Sequence, residues 1–237
     1  MNEKYLIPAS ILIAGLLVGG GLYLSGSTSV EVSDTKKGFE VVEPKQEEAT
    51  PTKVVESEHI LGDYEKAEIF IVEYSDTQCP FCKRYNDESF HLLKEKYGND
   101  DKVAFVYRSF PLKRLHPTAA TEAVGLECAA ELGGNDKFFE MKKMVFALTK
   151  TNNKNSTEVV NALPEMAEKI GLNKADFITC QADPKMAAKV KASFEEGIAG
   201  GVGGTPTVFV QMRDGTSVNI PASAPIIIES IDKFFAQ

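Results

Sequence analysis

The stretch "AEIFIVEYSDTQCPFCKRY", residues 67–85, joins an apolar run to a pair of closely spaced cysteines. The run from Ala67 to Ser75 is rich in isoleucine, valine and aromatic residues. That composition predicts a central strand covered on both faces. Cys79 and Cys82 follow, with two residues between them. Such a pair forms a redox couple, half of a metal site or a structural staple, and the surrounding sequence decides among them.

The sequence after the pair predicts a strand–helix–strand unit. Residues 83–98 show helical spacing, with large apolar side chains on one face and Gly98 as a stop signal. Residues 102–112, "KVAFVYRSFPL", have the composition of a second strand. Because strand–helix–strand crossovers within one sheet are right-handed, the two strands are predicted to be parallel.

The remaining sequence is a helical segment followed by two more strands and a helix. Residues from about 116 to 200 carry several amphipathic helical patterns and are interpreted as an insert. The stretches "TPTVFVQM" and "TSVNIPA" then predict strands, and "APIIIESIDKFFA" predicts a closing helix. We therefore expect an α/β fold for a domain of residues 58–237, with its helical insert at about 116–200.

The amino-terminal segment is predicted to anchor the chain in a membrane. No charged residue occurs from Tyr5 to Gly26, and about 20 apolar residues in a helix span a bilayer core of roughly 30 Å. Residues 1–26 are therefore interpreted as one transmembrane helix, with a cleavable signal peptide as the alternative. Lys4 favours a cytoplasmic amino terminus. We expect a single-pass cell-membrane protein with an extracytoplasmic domain, in a compartment where disulfides persist.

Residues 27–57 are predicted to be a disordered linker, and the charge of the whole chain limits its partners. The segment is rich in Ser, Thr, Glu, Lys and Pro, so it cannot bury enough apolar surface to offset its ordering entropy. The chain has a formal net charge of −8, which argues against nucleic acid as a partner.

Two of the three interpretations of the cysteine pair fit the sequence poorly. Zinc would require a second pair of ligands, but Cys128 and Cys180 are single and distant. The three histidines form no ligand pattern, so no metal is expected. A disulfide across two residues closes almost no loop and removes little unfolded-state entropy. A redox couple is the remaining interpretation.

The position of the pair gives the redox interpretation a mechanism. Cys79 is predicted at the amino terminus of a helix, where unpaired N–H groups stabilise a thiolate and lower its pKa. Pro80 suits the first turn, because it has no N–H that would go unpaired. We expect Cys79 to be exposed and nucleophilic. Cys82, one turn further on, is expected to be shielded and to resolve the mixed disulfide formed on Cys79.

A second motif, "GGVGGTPTVFV" at residues 200–210, completes a known pattern. Thr205 and Pro206 stand directly before a predicted strand. A strand that ends in C-P-x-C, a helical insert, and then G-T-P-T before a strand resemble the thioredoxin superfamily. The chain is most similar to the DsbA-type thiol–disulfide oxidoreductases of exported compartments, over about residues 58–237.

The resemblance implies roles for individual residues. Cys79 corresponds to the attacking cysteine and Cys82 to the resolving one. Pro206 corresponds to a cis-proline that faces the disulfide, and Thr205 to the residue whose backbone pairs with a bound peptide. Glu73 corresponds to an acid buried beneath the active site. A carboxylate in an apolar central strand would have a raised pKa and could exchange a proton with Cys82; the alternative is an acid at a strand edge facing water.

The sequence departs from the strongly oxidising members of this family at one position. Those members have His between the cysteines, where it helps the thiolate, and this chain has Phe81 beside Pro80. The oxidising strength is therefore open, and Phe81 is expected to add an apolar surface for unfolded chains. Some relatives also resemble this chain in carrying an extra cysteine pair. Cys128 and Cys180 are either a structural disulfide, which is favoured in an oxidising compartment, or two buried thiols.

The expected function is donation of the Cys79–Cys82 disulfide to reduced or unfolded exported proteins. The family implies reoxidation by a quinone-linked thiol oxidase of the membrane, and no cofactor beyond the redox-active disulfide. One alternative is a reductase or isomerase of the same fold, although no dimerisation region is evident and a monomer is expected. Another is a non-catalytic holdase that captures peptides beside Pro206.

Overall fold

The computed structural model describes residues 49–150 and 157–236. The strands are β1 (Ile60–Leu61), β2 (Ile69–Ser75), β3 (Val103–Ser109), β4 (Thr207–Met212) and β5 (Ser217–Ile220). The helices are α1 (Pro80–Arg84), α2 (His91–Tyr97), α3 (Ala119–Leu148), α4 (Glu158–Lys169), α5 (Lys174–Ala182), α6 (Pro184–Ala199) and α7 (Ala224–Phe235). A π-helical turn, Tyr85–Phe90, connects α1 to α2, so the chain is helical from Pro80 to Tyr97.

The strands form one five-stranded sheet in the order β1-β3-β2-β4-β5. Strand β2 lies at the centre, parallel to β3 and antiparallel to β4. The parallel pairing confirms the predicted crossover, because α1 and α2 carry the chain from β2 to β3. Strand β1 has only two residues, too few for a pattern, and was not predicted.

Both faces of β2 are buried, as its continuous apolar sequence predicted. Ile69 and Ile71 face a cluster that includes α2 and α7. Phe70, Val72 and Tyr74 face the opposite cluster, which includes Phe110 of the β3–α3 loop and Phe194 of α6. The alternation follows from the two-residue period of a strand. The predicted α/β fold with a helical insert is confirmed, and the insert consists of α3 to α6.

The insert has its own core against the active-site end of the sheet. Phe138, Met141 and Val145 of α3 are fully buried in this cluster, so at helical spacing they form one apolar stripe of an amphipathic helix. Helix α3 breaks at Gly134, whose φ of 76° lies in the left-handed region that glycine tolerates. The cysteines of the C-P-F-C motif, Cys79 and Cys82, pack into the same cluster. The insert therefore forms a wall of the redox site.

The folded domain begins before residue 58, so the carboxyl end of the predicted linker is wrong. Val54 is buried against the sheet face formed by Phe70 and Val72. The backbone N–H of Val54 donates to Gln211 Oε1 at 2.7 Å, and Gln211 Nε2 donates to the Thr52 carbonyl at 3.1 Å. The polar composition of this segment hid its contacts, because they are made to a strand more than 150 residues later.

The predicted transmembrane helix at residues 1–26 lies outside the described residues, as does most of the predicted linker. Within residues 49–150 and 157–236, none of the helices has the length and apolar character needed to cross a membrane.

Candidate active site

The active site lies where β2 meets α1. Cys79 is the N-cap of α1 in an extended conformation, and Pro80 occupies the first turn. The Cys79 N–H donates to the Asp76 carbonyl at 3.1 Å, and the Cys79 carbonyl accepts from the Lys83 N–H at 3.0 Å. The turn of residues 76–79 therefore leads directly into the helix, and it directs the Cys79 side chain at the unpaired N–H groups of the first turn.

Cys79 is a free thiol with an acidic character. Its pKa is lowered from an ordinary value of 9.0 to about 6, first by a hydrogen bond from the Cys82 thiol and further by the backbone N–H groups of Cys82 and Phe81. The helix terminus contributes as predicted, but the neighbouring thiol has the larger effect. The expectation of an exposed Cys79 is wrong, because the residue is only 4% exposed. The insert and the loop before β4 cover it.

Cys82 is also a free thiol, and it is completely buried. Burial and the adjacent Cys79 raise its pKa well above the ordinary value. The backbone N–H of Asp76 points at Cys82 Sγ from 3.5 Å. The two thiols thus have opposite acid strengths, because Cys82 is completely buried and its thiol donates to Cys79, which accepts that hydrogen bond.

The second motif of the sequence lies against the first. The Thr205–Pro206 peptide bond is cis. The Cys79 thiol donates to the Thr205 carbonyl at 3.4 Å. Residues 126 positions apart in sequence therefore meet at the reactive sulfur.

A groove of about 370 Å³ opens beside the two motifs. Phe81, Thr205 and Pro206 line it, together with Ser223 at the start of α7. Phe81 is 58% exposed, while Pro80 is partly exposed next to it. The sequence analysis predicts that three residues bind the substrate. All three lie on the same side of Cys79: Pro80, Phe81 and Thr205.

Glu73 lies in β2 behind the cysteines and is paired with a residue that the sequence did not single out. Its side chain is 4% exposed, and its Oε2 is 3.3 Å from Lys142 Nζ. The strand-edge alternative is therefore wrong, because the Glu73 carboxylate is buried on the central strand and pairs with an ammonium group. Burial lowers the pKa of Lys142, and its ammonium lies 4.0 Å from the centre of the Phe90 ring.

Lys142 lies four residues after Phe138 and three before Val145, on the buried stripe of α3. A lysine among apolar residues at helical spacing is the sequence pattern that could have indicated this buried charge. Within residues 49–150 and 157–236, no group of three or more His, Cys, Asp or Glu residues could hold a metal ion.

Comparison with known proteins assigns the family. A family model described as thioredoxin matches residues 54–227. The chain belongs to the thioredoxin family. The crystal structure of Pseudomonas aeruginosa DsbA2 is similar, with a TM-score of 0.61 and 26% identity, covering 77% of this chain and 97% of that one. This thioredoxin-family chain is of the DsbA type, which confirms the resemblance in its sequence.

Curated relatives share only a part of their length with the chain. The Na(+)/H(+) antiporter NhaA 1 of Mycobacterium sp. (strain KMS) is 40% identical over 92 residues, which are 39% of this chain and 14% of the relative. The putative protein-disulfide oxidoreductase RP025 of Rickettsia prowazekii (strain Madrid E) is 38% identical over 72 residues, which are 29% of this chain and 26% of that protein. The matched region is thus about a quarter or less of each of these relatives.

The turn before the thioredoxin-type cysteines is held by two buried carboxylates that sequence reasoning missed. Asp76 accepts a hydrogen bond from the Gln78 N–H at 2.8 Å. Glu122 of α3 accepts from the Thr77 hydroxyl at 2.6 Å and from Gln78 Nε2 at 2.9 Å. A D-x-x-C spacing gave a weak signal for Asp76, and nothing in the sequence linked Glu122 to the motif.

The second cysteine pair lies inside the insert. A disulfide joins Cys128 of α3 to Cys180 of α5, with a Cα–Cα distance of 5.7 Å. Cys128 is fully buried in the apolar cluster of the insert, and Cys180 packs against it. This disulfide ties two helices of the insert together, and neither of its cysteines lines the groove beside Pro206.

Proposed function

We propose that the chain is a thiol–disulfide oxidoreductase that donates the Cys79–Cys82 disulfide to reduced exported proteins. The observation that carries the proposal is the contrast between the two thiols. Cys79 has a pKa near 6 and lies beside a cis-proline, whereas Cys82 is buried with a raised pKa. A stable Cys79 thiolate stabilises the reduced protein, which makes the oxidised protein an electron acceptor.

The reaction follows from this contrast. A substrate thiolate attacks Cys79 Sγ of the disulfide, the Cys79–Cys82 bond breaks, and the Cys82 sulfur leaves and takes up a proton. A second substrate thiolate attacks the substrate sulfur of the mixed disulfide and releases Cys79 as a thiolate. The substrate loses two electrons and becomes a disulfide, and the two cysteines become reduced. A leaving thiol with a low pKa accelerates the second step.

The groove next to Cys79 would hold the substrate. An extended peptide can pair with the backbone at Thr205, while the apolar face of Phe81 contacts its side chains. This geometry presents a substrate sulfur to Cys79, whose thiol already contacts the Thr205 carbonyl.

Glu73 and Lys142 would act on the proton of Cys82. Both are buried behind the cysteines. Burial lowers the pKa of Lys142, while the charges of Glu73 and of a Cys82 thiolate oppose that shift. A buried pair can exchange a proton with a thiol whose pKa is high, and Cys82 must gain one proton in each turnover.

The cell context is also a proposal. Exported substrates, a single-pass anchor at residues 1–26 and a monomeric state extend the sequence analysis. The DsbA-type fold suggests a membrane partner, a quinone-linked thiol oxidase, that withdraws the two electrons from Cys79 and Cys82. The disulfide itself carries the electrons, so no other cofactor is required.

The reduction potential of the purified chain tests the proposal. It would be equilibrated against glutathione, while mass spectrometry follows the Cys128–Cys180 disulfide separately. A potential between about −120 and −180 mV identifies a disulfide donor. A potential near −270 mV identifies a reductase and overturns the proposal.

A holdase is the second candidate, favoured by the exposed Phe81 in the groove. Cys82→Ser separates the two functions, because its Cys79 thiolate attacks a substrate disulfide, releases one substrate thiolate and then remains in a mixed disulfide that no second cysteine resolves. A covalent complex seen by mass spectrometry excludes a purely non-covalent holdase, whereas binding without such a complex supports one.

A further inference from the structure

The turn that presents Cys79 is bound by a carboxylate from the helical insert. Glu122 on α3 is fully buried. It accepts hydrogen bonds from Thr77 Oγ1 at 2.6 Å and from Gln78 Nε2 at 2.9 Å. These are the two residues immediately before Cys79. Thr118, one turn earlier on the insert, also donates to Glu122 at 3.0 Å, so the carboxylate is held from its own side as well.

The same turn is bound from the other side by Asp76. The Asp76 carboxylate accepts the backbone N–H of Gln78 at 2.8 Å and that of Leu112 at 2.7 Å, and it lies 2.9 Å from His116 Nδ1. Its backbone carbonyl accepts the Cys79 N–H. Residues 76–79 are therefore fixed between the β3–α3 loop and the insert.

We propose that Glu122 is a positioning residue for the redox reaction, and that its two hydrogen bonds to Thr77 and Gln78 keep Cys79 in the geometry that stabilises its thiolate. The proposal rests on the proposed function, in which Cys79 is the reacting thiol. Glu122 does not touch the sulfur. It acts through the turn of residues 76–79, whose last residue is the N-cap of α1.

The geometry of the N-cap explains why the position of the turn matters. The N–H groups of Phe81 and Cys82 lower the pKa of Cys79 only while its side chain folds back over the first turn of α1. If the turn loses Glu122, Thr77 and Gln78 lose their anchor on the insert. The Cys79 sulfur can then leave the N–H groups, and its pKa rises.

Glu122 is a buried charged residue, and its two carboxylate oxygens explain why a charge occupies this position. Burial and the charge of Asp76 raise the pKa of Glu122, and His116 faces Asp76 on its other side. A second carboxylate buried close to Asp76 is unfavourable for stability, and an apolar side chain would pack there more easily. A carboxylate offers two acceptor oxygens, and here Oε2 holds Thr77 while Oε1 holds Gln78.

The test is a pH titration of the Cys79 thiolate, followed by its ultraviolet absorbance in the reduced full-length chain. Glu122→Ala removes both hydrogen bonds and should raise the pKa of Cys79 by about one unit or more. Glu122→Gln keeps one acceptor oxygen for Gln78 Nε2, and its amide N–H can donate to the Thr77 hydroxyl, which rotates to accept, so both bonds form without the charge and this variant should titrate at or below the wild-type pKa. This pattern separates positioning from charge, because loss of a negative charge alone lowers the pKa of a nearby thiol.

Glu127→Ala is the matched control. Glu127 lies five residues further along α3, is 4% exposed and pairs with His59 at 3.0 Å, away from the turn. This variant should lose stability without any shift in the Cys79 titration. A wild-type titration for Glu122→Ala, or an equal upward shift for Glu122→Gln, overturns the proposal. If Glu122→Ala does not fold, Thr77→Val removes one of the two bonds and should shift the pKa in the same direction by less.

The titration of Cys79 in the Glu122 variants tests the positioning role whether the chain donates disulfides or reduces them. A wild-type potential near −270 mV would overturn the proposed function, whereas unshifted thiol titrations in the variants would overturn the positioning role alone. In a donor, Glu122→Ala should also lower the equilibrium constant for oxidising glutathione about tenfold, which corresponds to about 30 mV.

Discussion

The two cysteine pairs of this chain differ in state and position: one pair is free and lies at a helix terminus, and the other forms a disulfide between two helices. Cys79 and Cys82 are two residues apart, free, and placed at a helix terminus beside the groove at Pro206. Cys128 and Cys180 are 52 residues apart and bonded, within the apolar core of the insert. Both pairs pack into the apolar cluster of the insert, but only the sulfurs of the first pair are free thiols that face backbone N–H groups, those of Phe81 and Cys82 at Cys79 and that of Asp76 at Cys82.

The difference shows that a cysteine pair is defined by its surroundings and by the loop it closes. A short loop leaves the reduced and oxidised forms close in stability, so electrons can be exchanged. A long loop makes the oxidised form much more stable than the reduced one.

The largest effect is expected from Cys79→Ser, which removes the only sulfur that contacts the Thr205 carbonyl within the described residues. Oxidation of a reduced two-cysteine peptide, with glutathione disulfide as the terminal oxidant, should fall to the uncatalysed rate. The double variant Cys128→Ala/Cys180→Ala should keep its turnover at a temperature where it is folded. Loss of activity in both variants would show that the pairs are not functionally separate.

The next largest effect is on stability. Cys128→Ala/Cys180→Ala opens a loop of 52 residues, which should lower the free energy of unfolding by about 4 kcal/mol in the chain-entropy treatment. Urea unfolding of the oxidised proteins measures it. The control is Cys79→Ala/Cys82→Ala, which opens almost no loop and should change the stability much less. Equal losses in the two variants would contradict the assignment of one pair as structural.

A smaller effect is the pH dependence of the reactive thiol. Alkylation of Cys79 by iodoacetamide in the reduced protein should be half-maximal near pH 6 and fall about tenfold per pH unit below that value. Because the folded pKa lies below the ordinary value of 9.0, this group stabilises the reduced fold fully above about pH 9. That stabilisation decreases from pH 9 to pH 6 and is absent below.

Cys82 provides the internal comparison for this titration. It should resist alkylation until the chain unfolds, since it is completely buried. A half-maximal rate above pH 8 for Cys79 would instead make it an ordinary thiol.

The smallest effect is expected at Phe81. Phe81→His places an imidazolium beside Cys79 and should lower its pKa further. The equilibrium with glutathione should shift towards the reduced chain about tenfold, or about 30 mV. Phe81→Leu is the control, because it keeps an apolar side chain without a charge. An equal shift in both variants would assign the effect to the loss of the aromatic ring.

The order of the elements and the positions of the motifs could be predicted from local sequence. Each of these patterns is local, since its residues lie close together in the sequence. They are the apolar run of β2, the helical stripe of α3 and the proline before β4, and the structure has strands and helices at the positions they indicate. The C-P-F-C spacing at the end of a buried strand predicted the environment of Cys82. It overstated the exposure of Cys79, because the residues that cover it come from the insert and from the loop at Thr205.

Local sequence by itself determined which segments become strands and helices and which two cysteines lie at a helix terminus. Only the tertiary structure decided the partners of the buried charges. Lys142 reaches Glu73 across 69 positions, and Glu122 reaches Thr77 across 45. The ordering of residues 49–57 depends likewise on Gln211. A charge in an apolar segment must find a partner when it is buried, but its identity depends on how distant segments pack, which short-range patterns do not encode.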